Sequence, residues 1–76
     1  MKVHFEMTDT FGGESNYSWV KRHSEDMPDG VSNLALVRRL KKWASWQGER
    51  CEVTHLGEMI SIRPHSACLI AFITFN

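Results

Sequence analysis

The chain has 76 residues, nine bases against nine acids, and no net charge. That length makes a single domain, residues 1–76, and a domain so small buries only about 60% of its unfolded surface, so self-association is an expected remedy. A sequence pI of ≈ 6.9 excludes a strongly basic chain built only to coat nucleic acid, and no segment approaches the roughly 20 apolar residues of a membrane-spanning helix.

Val3, Phe5 and Met7 alternate with Lys2, His4 and Glu6, the pattern of a half-buried strand. Thr8 to Ser15, TDTFGGES, breaks that pattern with turn-forming residues. Asn16 to Arg22 resumes it, with Tyr17 and Trp19 on one face and Ser18 and Val20 on the other. The two segments are expected to pair as a hairpin with a long loop. Ser24 to Gly30, SEDMPDG, reads as an acidic turn punctuated by Pro28 and Gly30.

Val31 to Gly48, VSNLALVRRLKKWASWQG, is the one segment with a clear helical period. Leu36, Val37, Leu40, Trp43 and Ala44 fall on one arc of about 120°, and the helix is expected over about 32–47. Ser32 suits the N-cap, Val31 and Leu36 the spacing of a hydrophobic staple, and Gly48 a left-handed residue after the last turn. Arg38, Arg39, Lys41 and Lys42 lie within it and no acid does, so the helix carries +4. The remaining five bases and nine acids leave −4 elsewhere, and the neutral total hides a polarised molecule.

Three short strands follow. Cys51, Val53 and His55 alternate with Glu52 and Thr54, Gly57 marks a turn, and Ile60 and Ile62 alternate with Ser61 and Arg63. Pro64-His65-Ser66 turns the chain again, because proline does not sit inside a central strand. Cys68 to Phe75, CLIAFITF, is apolar at all but one position and reads as a central strand buried on both faces. The expected fold is α+β: an antiparallel sheet of about five strands in β-β-α-β-β-β order, with one helix packed on one face. A single helix leaves the second face, expected to carry Tyr17 or Trp19 and His55, either solvated or covered by another subunit.

Two cysteines without CxxC spacing make no disulfide scaffold and no metal-type pair; Cys51 and Cys68 read as buried, reduced thiols of a cytoplasmic protein, with a disulfide between them the alternative. No apolar leader segment follows Met1-Lys2. The four histidines make no HxH, HxxxH or HExxH spacing, and no acid, base and nucleophile set emerges, so neither a metal, a cofactor nor catalysis is expected.

Two surfaces remain as binding candidates. The first is the outer helix face, where Arg38, Lys41 and Lys42 point away from the apolar arc and Trp46 is expected at its border; cations beside a ring suit a nucleic acid, while the plainer alternative is a solvated face whose bases meet Glu or Asp of neighbouring segments, with Trp46 closing the end of the core. The second is the loop-hairpin element, with Phe11, Glu14, Tyr17 and Trp19, since aromatic side chains are enriched where partners dock. A third arrangement, Gly12 and Gly13 with Arg22 or Arg63, could hold a small anionic nucleotide, although no phosphate-loop motif is present.

FEMTDTFGGESNYSWVKR, with VRRLKKW and the closing FITFN, resembles small open reading frames of bacteriophages and prophages, most specifically through Thr10 to Val20, TFGGESNYSWV. That group brings no established activity and therefore no catalytic or binding residue. It implies a short accessory protein in the host cytoplasm that binds a host protein or complex, such as a bacterial defence component, and inhibits it by occlusion without catalysis.

Overall fold

The computed structural model describes residues 1–75. It has a five-stranded antiparallel sheet and one helix, an α+β arrangement. The elements are β1 (Lys2–Phe11), β2 (Glu14–Asp26), α1 (Asn33–Ala44), β3 (Cys51–Leu56), β4 (Met59–Pro64) and β5 (Leu69–Phe75). Across the sheet the order is β2-β1-β5-β4-β3, so β5 is the middle strand and β2 and β3 are the edges.

Strand alternation decides what meets the helix. Phe5 pairs with Ile73 and Ile73 with Ile60; Met7 pairs with Ala71 and Ala71 with Ile62. Directly opposed residues share a sheet face. These side chains join Val3, Leu36, Leu40 and Trp46 in one buried cluster. Ser32 caps α1 by accepting from the Ala35 N–H at 3.1 Å, as its hydroxyl predicts.

The helix ends earlier than its sequence suggests. Ser45, not Gly48, is the left-handed residue, at φ 62°, and its N–H reaches the carbonyls of Lys41 and Lys42. Gly48 also has positive φ, but it lies beyond the helix end. The reversal at Ser45 turns the chain back, so that the Trp46 N–H donates to the Lys41 carbonyl at 2.7 Å and its ring enters the core.

The first hairpin also departs from expectation. Its loop is not Thr8–Ser15: β1 runs on to Phe11, and Phe11 pairs with Glu14 across a two-residue turn. Gly12 and Gly13 both have positive φ, the requirement of a type I′ turn. The irregularity lies instead in β2, where Thr10 pairs with Ser15 but Thr8 with Val20. The extra residues of β2 form a bulge around Asn16–Trp19, and Tyr17 sits there at φ 56°. The strand then continues through the segment read as an acidic turn, to Asp26.

On the second face, Thr8 and Ile70 are opposed and both are buried. Arg63 stands beside Ile70 there, one residue on from the Ile62–Ala71 pair, and donates to the Gly13 carbonyl at 2.6 Å. The hairpin tip is thereby tied down across this end of the sheet. His55, expected on this face, is opposed to Ile60 and so belongs to the helix side. Among the described residues no helix is long and apolar enough to cross a membrane.

Candidate binding surface

The four helix bases separate by what they touch. Arg39 is committed to β2: its Nε lies 2.9 Å from one Glu25 carboxylate oxygen and its Nη2 3.2 Å from the other. Lys41 donates to the Glu49 carbonyl at 2.7 Å. Arg38 and Lys42 meet no acid among the described residues, and both line a groove with Ser32, Arg39 and Gln47 over a floor of Leu34 and Ala35. A second, adjoining groove is lined by Arg38, Lys41, Gln47 and Gly48. The positive face is thus only partly neutralised by the protein's own acids, and its unneutralised part borders exposed apolar surface, Leu34 being 61% exposed.

Trp46 is not part of this face. It is 6% exposed and packs with Leu36 and Leu40, because the left-handed Ser45 redirects the chain inward. The basic groove therefore has no aromatic ring among its lining residues. The helix ring that does meet other rings is Trp43, 5.7 Å from Phe5 and 6.1 Å from His23. Trp43 stacks on His23 of β2 at 22° and is tilted at 42° to Phe5 of β1, contacts that belong to the packing of the helix.

The loop-hairpin residues are all exposed. Phe11 is 80% exposed, Tyr17 49% and Trp19 39%, and Glu14 is exposed beside the turn. Their support comes from Asp9. Its carboxylate accepts from the Ser18 hydroxyl at 2.6 Å, the Asn16 amide at 2.9 Å, the Ser18 N–H at 3.1 Å and the Thr8 hydroxyl at 3.2 Å. Bonds to the charged form, the Ser18 hydroxyl first, pull this carboxyl from the ordinary 3.8 down to about 2. Thr8 also contacts this segment: its hydroxyl lies 2.8 Å from the Trp19 carbonyl. The sequence gives no periodic signal for this network, because one side chain bonds to residues displaced by the bulge. The bulge-holding Asp9 is the residue that sequence reasoning missed.

The two candidate surfaces are not brought together. The hairpin tip is tied to the second face through Arg63, whereas the basic groove lies on the helix, whose Leu36 and Leu40 join the core cluster with Phe5 and Ile73. A partner engaging both has to wrap an edge of the sheet. The glycine turn is also not arranged as an anion cradle: Arg22 is 3.2 Å from Glu6, and Arg63 is engaged by a carbonyl of the turn itself.

The cysteines are unpaired, and Cys68 is exposed where a buried thiol was expected, because β5 begins only at Leu69 and leaves Cys68 in the preceding turn. Cys51 is half-buried, and burial pushes its thiol up. Among the described residues no group of three or more His, Cys, Asp or Glu side chains converges to hold a metal ion.

No family model matches the chain, and no curated protein or solved structure does either.

Proposed function

We propose that this chain is a small interaction module that docks an acidic macromolecular partner on the Arg38–Lys42 face of its helix and acts by occlusion, without making or breaking a bond. The observation that carries this reading is the pair of cations left without acids among the described residues, beside an exposed apolar floor. Arg39 has its acid, whereas the two neighbouring cations stand beside Leu34 and Ala35, so charge and exposed apolar surface adjoin. The resemblance to short phage reading frames supports a host protein as the partner and the host cytoplasm as the place. The loop-hairpin aromatics Phe11, Tyr17 and Trp19, with Glu14, form a second contact region, and self-association is a further expectation of the small core.

A protein partner is favoured over nucleic acid by the lining of the groove. Trp46 is turned into the core, so the basic face offers charge and aliphatic surface but no ring on which a base could stack.

The test is charge reversal. Tagged wild-type chain and the Arg38→Glu/Lys42→Glu variant are each used to recover proteins from nuclease-treated bacterial lysate. A Lys2→Glu/Arg50→Glu variant, of the same charge change at exposed sites elsewhere, serves as control. The reading expects one or more proteins that are retained by wild type and control and lost by the groove variant. Equal recovery by all three reduces the groove to a solvated face, and recovery that vanishes with nuclease transfers the face to nucleic acid.

A further inference from the structure

The two sheet edges differ in how they are guarded. β2 carries Lys21, Arg22 and a bulge, devices that discourage another strand from adding to an edge. β3, CEVTHL, has no lysine, no proline and no register shift, and five of its six residues are exposed. Its outward-facing backbone groups follow from the hairpin geometry. Cys51 pairs with Pro64, and just before them the His65 N–H donates to the Arg50 carbonyl at 2.9 Å. Hydrogen-bonded and non-bonded pairs alternate along an antiparallel ladder. Glu52, Thr54 and Leu56 therefore face β4 with their N–H and C=O groups, and those of Val53 and His55 point out to the open edge.

A groove runs beside that edge. It lies between Asn33, Leu34 and Val37 of α1 and Val53 and His55 of β3, on the helix side of the sheet. Leu34 lines both this groove and the basic one, and Arg38 and Lys41 follow it along the helix. An open edge, an apolar trough and flanking cations coincide.

The charge selects the occupant. Antiparallel pairing of β3 with β3 of a second copy would set two helices side by side on one sheet face, each with four bases of which only Arg39 has an acid beside it among the described residues. Like charges so placed repel. We propose that the open edge of β3 receives an extended acidic segment of a partner protein, which adds a sixth strand, seats an apolar side chain among Leu34, Val37 and Val53, and directs carboxylates to Arg38 and Lys41. Backbone bonds supply the general affinity and the groove the selection, the usual division of labour in strand addition. The inference rests on the reading of the chain as a binding module; its site is the edge of β3, which shares Arg38 with the Arg38–Lys42 groove but is read out separately, at the Val53 and His55 amides.

The experiment is a selection of random dodecapeptides, displayed on yeast, against the immobilised chain. The proposal expects enriched peptides that alternate apolar residues with Asp or Glu. The best of them should bind about tenfold or more weakly to Val53→Pro, which removes an outward N–H, to Leu34→Glu, and to Arg38→Glu/Lys41→Glu. Amide exchange on the wild-type chain gives a readout independent of any variant's folding: the Val53 and His55 N–H groups should gain protection when the peptide is added. Enrichment of basic or patternless peptides overturns the proposal, as does unchanged exchange at Val53 and His55. A wild-type dimer in light scattering that Val53→Pro dissociates also overturns it, in favour of a second copy. A peptide that meets these expectations while lysate recovery ignores Arg38→Glu/Lys42→Glu defeats only the earlier reading; the reverse outcome defeats only this one.

Discussion

The Ser18 hydroxyl donates to the Asp9 carboxylate at 2.6 Å, and the Ser18 backbone N–H donates to the same group at 3.1 Å. One side chain on β1 thus fixes both the main chain and the side chain of a residue inside the β2 bulge. The exposed aromatic residues beside that bulge are held on a braced segment, and ordering them on binding costs correspondingly less.

Because the Asp9 carboxyl is drawn from 3.8 down to about 2, its contribution to stability has a definite sign. A group whose pKa is lowered by folding stabilises when ionised in both states, so the contribution is complete above about 3.8 and is lost as pH falls through about 2. Asp9→Asn should be less stable than wild type at neutral pH, and the gap between them should close in that acid window. Denaturant melts of both proteins between pH 7 and pH 2 check this. A constant gap across the range would show that the network does not depend on the charge.

Trp46 and Trp19 should respond oppositely to truncation. Trp46 is 6% exposed within the core, so Trp46→Ala should cost about 3–5 kcal/mol, a large share of what a small domain has. Trp19 is 39% exposed and lies outside the core cluster. Trp19→Ala should stay within about 1 kcal/mol and, if the hairpin surface binds a partner, weaken binding instead. Chemical denaturation separates the two.

Ser45 holds φ 62° with a Cβ, a conformation glycine adopts freely. Ser45→Gly should therefore raise stability, by about 0.5–1 kcal/mol, the relief of strain exceeding the added entropy of the unfolded chain. A higher melting temperature with an unchanged circular dichroism spectrum is the expected result. A lower one would place the cost of glycine's freedom above the strain.

The two thiols should react in sequence. Cys68 is exposed, while the Cys51 thiol is half-buried, its pKa raised by burial, with its sulfur 3.7 Å from the Glu49 carbonyl. Near pH 8, where only the thiolate attacks, a maleimide should label Cys68 first and Cys51 more slowly. Mass mapping of singly labelled protein reads the order. Rising pH should narrow the difference as the Cys51 thiolate population grows.

The helix was legible because several local signals agreed: the apolar arc with Leu36 and Leu40, the Ser32 cap and the isolated basic run. The length and apolarity of CLIAFITF likewise pointed to the middle strand, and β5 occupies that place. What escaped were features set by single non-local contacts. The β2 bulge depends on Asp9 reaching across the hairpin, and no period in Asn16–Trp19 records that. The inward turn of Trp46 depends on a serine adopting a backbone state that sequence rules assign to glycine. The partial neutralisation of the basic face depends on where β2 ends: read as a strand only to Arg22, it leaves Glu25 in a turn, whereas the continued strand sets Glu25 under Arg39.

The central place of β5 also governs how the molecule comes into being. β1 and β5 are hydrogen-bonded neighbours, with Val3 opposite Phe75, so the innermost pairing joins segments nearly a whole chain apart. Closing so long a loop before any contact rewards it is slow, and folding on the millisecond-to-second scale of strongly non-local topologies follows. During synthesis, the segments of the β1–β2 hairpin and the helix leave the ribosome before Ile73 can pack against Phe5 and Ile60. For that interval the apolar side of β1 stands open, and chaperones or neighbouring nascent chains compete with β5 for it.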